Sequence, residues 1–487
     1  MMIITLYTSR VILSTLGVED YGIYNVVGGV VVMLSFISSS LSVATQRFLN
    51  YEMGLGNKEK VKEIFSTALT IHIFIAFFIV IIAETAGLWF VKNYLDIAER
   101  MDAAIWVFHF SVALMFIIIV TTPYNALIIA NEKMSVYAWV SIIDAGLKLI
   151  IVFILQAVSY DKLIVYGFLL LIVTILTNGT YIIYCRKKFH EIEFVFKWKK
   201  EHAKKLMKFS GWMFAGTSAD ILSGQGVNML INIFFGPVFN AANGITTQVQ
   251  VGLYTLFSNI MVAVRPQIIK SYSQKDFSYM YKLILSSSKF SFFLLYIISL
   301  PILLQTDYIM HLWLKDVPEY TGFFIQLMLI DILIQASCIS FASASQASGK
   351  IRNYQLIVSI CFLSVFIFTI FLFKSGYPVY STFIITIIIS IISFIARLFE
   401  LKKTMKFPIQ KFLSQVTVRL IITAILSAIL PLIFVKFTHF DSSFLYFCTI
   451  TVLCFLSVVS VAWMVGLDKF EKDFIKQKIN IVLKERK

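Results

Sequence analysis

Charge is what this sequence has least of. Only 14% of its 487 residues are Asp, Glu, Lys or Arg, against roughly a quarter in soluble globular chains. Hydrophobic residues make up 59%, and the mean hydropathy is +0.84. A soluble domain could not hide so much apolar surface; a bilayer solvates it. Cysteine is scarce too. Cys185, Cys338, Cys361, Cys448 and Cys454 lie in or beside apolar runs, with no CxxC and no Cys/His cluster, so neither a disulfide framework nor a metal centre is implied. His72 and His109 stand alone in apolar runs and read as packing or interface residues. No P-loop, GxSxG, HExxH or paired-carboxylate motif occurs. That excludes a built-in ATPase, and no cofactor is expected. Energy, if needed, has to come from an H+ or Na+ gradient or from consumption of the substrate downstream.

What is present is a series of long apolar runs. A spanning helix needs about 20 mainly apolar residues. Such runs lie at 2–16, 22–43, 65–90, 103–128, 135–158, 162–185, 208–235, 239–264, 284–306, 321–346, 354–373, 378–399, 416–437 and 443–466. They predict an all-α polytopic membrane protein with about fourteen transmembrane helices; barrel strands would be half as long and alternating. The first run is short and contains Arg10. Because Tyr21 leads straight into another apolar run, it reads as a short first helix, not a cleaved signal peptide.

The net charge of +15 comes from 42 Lys and Arg against 27 Asp and Glu. These basic residues sit in short segments between runs, which argues for positive-inside topology and against nucleic-acid binding. With both termini inside, inner segments hold about 33 of them, and the outer loops only Lys92, Arg100, Lys162, Lys315, Lys374 and Lys436. The longest outer loop, 307–320, is short for a membrane glycosyltransferase or polysaccharide polymerase, which argues against that class. The longest inner segment, 186–207, interleaves Arg186, Lys187, Lys188, Lys197, Lys199, Lys200, Lys204 and Lys205 with Phe189, Phe194, Phe196 and Trp198. It reads either as a segment lying on an anionic leaflet or as a solvated linker.

That segment separates two groups of six runs, and the groups coincide on a shift of 219 residues. Gly17 falls on Gly236, Val30 on Val249, Leu34 on Leu253, Ser39 on Ser258 and Ala44 on Ala263. Six crossings return the chain to the same side, so the repeat is parallel, a transporter architecture with a cavity expected between lobes. The expected organisation is an N-terminal lobe at 1–185, a basic linker at 186–207, a C-terminal lobe at 208–400, an extra helix pair at 401–466 and a basic tail at 467–487.

Charges within the runs need a reason, since each costs about 2.5–3.5 kcal/mol at the bilayer centre on insertion scales. Asp144 and Lys148 share a helix face four residues apart and form either a structural ion pair or a coupling pair. Arg10 suits a pyrophosphate, or snorkels from a short helix. Arg47 and Arg265 sit at inner ends of the second run of each lobe, as topology anchors or as a basic gate for an anionic headgroup. Asp220 follows Gly216-Thr217-Ser218-Ala219 and Asp331 precedes Gln335, in polar stretches that either line a cavity or let helices pack.

The stretch running from Arg10 through Gly17, Glu19, Asp20, Tyr21, Gly22, Tyr24 and Asn25 to Gly28 and Gly29 resembles the N-terminal region of bacterial polysaccharide flippases. So does Ala44-Thr45-Gln46-Arg47-Phe48 with the Gly56-Asn57-Lys58 loop. These belong to the superfamily of multidrug, oligosaccharidyl-lipid and polysaccharide exporters. The resemblance implies a MATE-like fold and a flippase, not an enzyme, for undecaprenyl-pyrophosphate-linked oligosaccharide, the repeat unit of O-antigen or capsule. It implies residence among the lipids of the bacterial cytoplasmic membrane and partnership with polymerase and chain-length machinery. On this reading Arg10, Arg47, Arg265 and Lys148 are candidate substrate-binding residues, and Asp144, Asp220 and Asp331 candidate coupling or cavity residues. A cation/drug antiporter of the same fold is the alternative.

Overall fold

In lipid every backbone N–H and C=O has to be satisfied within the chain, which favours helices. The computed structural model describes residues 11–12, 15–17, 20, 23–24, 27, 36–94, 100–189, 199–314, 317–437, 444–473 and 475–477, and among these it is helical with no strand. Arg10, and most of the stretch that carries the resemblance, lie outside the described residues. The helices are α1 (Phe36–Gly54), α2 (Lys58–Ile82), α3 (Leu88–Tyr94), α4 (Met101–Ala130), α5 (Met134–Ala157), α6 (Lys162–Lys188), α7 (Lys200–Phe235), α8 (Pro237–Ser273), α9 (Phe277–Leu304), α10 (Thr306–Trp313), α11 (Thr321–Ser337), α12 (Ser340–Ser348), α13 (Arg352–Lys374), α14 (Ser381–Met405), α15 (Ile409–Phe412), α16 (Val418–Phe437) and α17 (Phe444–Val461). Single π-turns at Ala83–Gly87, Leu413–Thr417 and Ala462–Gly466 join or end some of them.

Among the described residues, ten helical segments are long and apolar enough to cross a membrane. Helices α7 and α8, of 36 and 37 residues, are more polar. At about 1.5 Å per residue they outreach the roughly 30 Å hydrocarbon core. Only Gly236 separates them, at φ 85°, a conformation open to glycine at little cost.

The 219-residue repeat extends to the turns. Gly17 and its counterpart Gly236 both have positive φ, 83° and 85°. Gly56 and Lys275 close the next turn at φ 70° and 62°. Asn57 then caps α2 by accepting from the Lys60 N–H, and Asp276 caps α9 by accepting from the Tyr279 N–H. Helix α1 ends at Gly54 and α8 at Ser273, while α6 starts at Lys162 and α14 at Ser381.

Contacts divide the chain into two compact units, Met1–Phe214 and Ala215–Lys487. The boundary falls inside α7, so residues 200–207, expected to be linker, are the head of a helix. Lys199 holds that head by an ion pair to Glu63 on α2, and the His202 ring lies within hydrogen-bond reach of the same carboxylate. The first unit is built around α4, whose Val107, Phe108, Val112 and Met115 pack on Ala76 and Ile79 of α2 and Leu163 of α6. In the second unit Phe257 of α8, Leu295 of α9, and Met328 and Ile332 of α11 share a core with Cys454 and Val458 of α17. The extra helix pair is therefore packed into this unit.

Candidate functional site

The two arginines expected at inner helix ends lie deeper than that. Helix α1 runs on to Gly54 and α8 to Ser273, leaving Arg47 and Arg265 about two turns inside. A hydropathy boundary marks where apolar sequence stops, whereas a helix continues through Asn50, Tyr51 and Glu52, or Gln267 and Lys270, without difficulty. Arg47 is 8% exposed. Its guanidinium carbon lies 4.6 Å from the ring centroid of Phe48, 4.8 Å from that of Tyr51 and 5.9 Å from that of Phe209 at the head of α7, an aromatic setting that stabilises a cation.

Also in the first unit, Asp144 and Lys148 pair on α5 at 2.8 Å, as their spacing predicts. Lys148 remains exposed on a face of α5 that its own unit leaves uncovered. Near the loops, Arg100 bridges two carboxylates, donating to Asp20 at 2.7 and 2.8 Å and to Asp161 at 2.6 and 3.1 Å. Hydrogen bonds to Asp161 and Asp20 push the Arg100 guanidinium above its ordinary value. Partial burial works to raise the Asp161 carboxyl, but Arg100 and the N–H groups of Ile164 and Leu163 outweigh it and hold the group below the usual carboxylate range.

The second unit gathers polar side chains within its spans. Tyr254 of α8 lies within electrostatic reach of Asp220 on α7, Arg265 on α8, Cys338 after α11 and Arg397 on α14. Arg397 donates to the Ser393 carbonyl at 3.1 Å and hydrogen-bonds Tyr354 of α13. Asp331, 3% exposed, accepts from Gln335 at 2.6 Å and from Ser390 of α14. The geometry makes it a tie between α11 and α14. Asp220 keeps an exposed side chain. The serines after Asp331 also pack: Ser340 of α12 bonds Ser288 of α9 at 2.8 Å, both fully buried.

Sequence reasoning missed Arg397, which the apolar run to 399 places at an inner edge; α14 continues to Met405. It also missed Lys289, which is fully buried on α9 and pairs with Glu471 at 2.5 Å and Asp468 at 3.3 Å. The expected tail after 466 thus begins as a docked turn. The signal for it is the spacing Asp468-x-x-Glu471, which forms a reciprocal capping box: the Asp468 N–H donates to Glu471 at 2.9 Å and the Glu471 N–H to Asp468 at 3.0 Å. Burial works to raise the Asp468 carboxyl, but the Glu471 N–H and Lys289 outweigh it and leave the group lowered.

Arg265 and Arg397 are two guanidinium groups of the second unit that both act on Tyr254, with Tyr354 bonded to Arg397. Such a pair suits an anion of phosphate type. Among the described residues no group of His, Cys, Asp and Glu could hold a metal ion.

The apolar helices make this a multi-pass, all-helical membrane fold. A MATE point-mutant crystal structure superposes with TM-score 0.73 at 12% identity, covering 83% of this chain and 94% of its own. A transporter of the MOP superfamily from Pyrococcus furiosus gives TM-score 0.70 at 13% identity (84% and 93% covered). A Vibrio cholerae MATE transporter variant gives 0.69 at 17% (83% and 93%). No curated protein matches the chain. Residues 2–275 match the family described as polysaccharide biosynthesis protein, and the chain belongs to that family.

Proposed function

We propose that this protein is a flippase. It moves undecaprenyl-pyrophosphate-linked oligosaccharide, a polysaccharide repeat unit of O-antigen or capsule type, across the bacterial cytoplasmic membrane by alternating access. The observation that carries the reading is membership of a polysaccharide biosynthesis family on a transporter fold. A protein that makes polysaccharide by moving something is expected to move its lipid-linked intermediate. The arginines within the helices support it, because a pyrophosphate crossing a low-dielectric region needs fixed cations. Arg265 and Arg397 serve that role in the second unit, Arg47 and Lys148 in the first, with Arg10 added from the sequence. Asp144 and Asp220 are the coupling candidates for H+ or Na+. The charge bias of the loops supports cytoplasmic termini, with polymerase and chain-length machinery taking the product at the opposite face of the membrane.

The test is reconstitution: purified protein in liposomes, with lipid-linked oligosaccharide followed from one leaflet to the other. Absence of protein-dependent movement of any such lipid would sink the reading. The second reading, a cation or drug antiporter, draws on the likeness of fold to a multidrug resistance MATE family transporter. Gradient-driven efflux of cationic dyes, indifferent to lipid-linked sugar, would select it.

A further inference from the structure

The break between α9 and α10 holds a feature that the flippase reading leaves unused. Gln305 sits at that break. It is 8% exposed, and among the described residues neither atom of its side-chain amide has a hydrogen-bond partner. Leaving such a pair unmet carries the full desolvation cost of both atoms, and buried polar groups of native proteins are rarely left so. Gln305 lines a cleft of about 240 Å³ together with Asp307, Tyr308, Gln326, Tyr446 and Phe447. Asp307 and Tyr308 also line an adjoining hollow of about 490 Å³ that reaches His311.

Hydrogen bonding and close packing tie the walls together. Gln326 of α11 donates to the Thr306 hydroxyl at 3.1 Å. A Cβ on Gly322 would come within 3.0 Å of Asp307 Oδ1, so the head of α10 lies close against α11. The Tyr308 and Phe447 rings stand 5.5 Å apart and tilted, and Tyr446 stacks on Phe434. Two amides and a carboxylate beside aromatic rings form a surface for a ligand with many hydroxyls and apolar C–H faces. The hydroxyls meet the amides and carboxylate, and the C–H faces lie on the rings. Among the described lining residues no Lys or Arg is present, which sets this cleft apart from the phosphate-type arginines.

We propose that this cleft is a carbohydrate-binding subsite on the outer face of the second unit, taking the sugars of the headgroup distal to the pyrophosphate. The proposal rests on the flippase reading and on the topology that makes 307–320 an outer loop. It gives the extra helix pair a task, since Tyr446 and Phe447 come from the start of α17.

The test uses the full chain in liposomes with two lipids: polyprenyl pyrophosphate carrying the complete repeat-unit oligosaccharide, and the same lipid carrying its first sugar alone. Gln305→Leu keeps the side chain's bulk without its amide. Asp307→Asn alters an exposed residue and leaves the fold intact. Each is expected to slow the complete lipid about tenfold, the net worth of one ordinary hydrogen bond, and to leave the one-sugar lipid unchanged. Wild-type movement with both variants unchanged, or slowed equally on both lipids, overturns the cleft alone. Wild type moving neither lipid overturns the flippase reading and the cleft's role with it.

Discussion

Replacing Lys289 tests how the segment after the last span is held. Its ammonium is fully buried between Glu471, itself 1% exposed, and Asp468. Lys289→Met keeps most of the side chain's volume and removes the charge. The Glu471 carboxylate, still buried, then has no compensating cation, and breaking a buried pair from one side costs about 3–5 kcal/mol. The capping box does not relieve this, because the Asp468 N–H that faces Glu471 is neutral. Exchanging both charges, as Lys289→Met with Glu471→Gln, removes the unmatched anion and is expected to recover most of the loss, since an apolar or neutral replacement of a buried pair is often near neutral. Thermal unfolding in detergent, followed by modification of the buried cysteines Cys338 and Cys454, reads all four corners of the cycle. A single variant as stable as wild type, or a double variant no more stable than Lys289→Met, would refute the reasoning.

The Arg100 clasp predicts a pH dependence. The folded Asp161 carboxyl is lowered, so its contribution to stability is present above the unfolded value of about 4 and is lost as pH falls through the folded one. Asp161→Asn should therefore lower the melting temperature at pH 7, with the gap to wild type closing in acid; a constant gap would contradict this. Gly226→Ala puts a Cβ 2.6 Å from the Phe366 ring and should cost about 1–3 kcal/mol by overpacking. Gly211→Ala, with nothing within 4 Å, should cost nothing and gain up to about 1 kcal/mol of helix propensity. Equal melting temperatures for the two would show that Phe366 moves freely. Arg397→Ala and Arg265→Ala should each slow lipid-linked oligosaccharide transport about tenfold or more, while Lys187→Ala leaves the rate unchanged; equal effects would reduce the arginines to topology signals. Asp144→Asn should shift the pH profile of transport if its pair with Lys148 couples protons, and an unchanged profile would return the pair to a structural role.

The spans and the repeat were legible because a bilayer dictates both. Apolar runs of about 20 residues announce themselves, and a duplicated lobe repeats its turns as well as its runs. Asn57 and Asp276 are caps at the same place in each copy, although neither belongs to an apolar run. What hydropathy could not supply was where helices end. Residues 200–207 and 265–273 are polar, yet they are helical, since helix continuation needs only backbone hydrogen bonds and no apolar face. The displaced expectation about Arg47 and Arg265, and the oversight of Arg397, follow from that one fact.

The candidate site divides along the same line. Asp144 with Lys148 could be paired from sequence because i,i+4 neighbours on a helix meet regardless of the fold. Lys289 and Glu471 lie 182 positions apart, and no local rule joins them; only the capping box around Glu471 was readable in advance. Gln305 was hidden for a third reason. Its significance lies in what its amide fails to bond among the described residues, a property of packing that residue type and spacing do not record. A charge in an apolar run signals itself by its cost to the membrane, whereas a neutral amide costs little there and betrays a site only when its surroundings leave it unmet. The charged residues within the runs are thus visible from sequence alone, whereas a cleft that offers hydrogen-bond partners without charge emerges only from the packed structure.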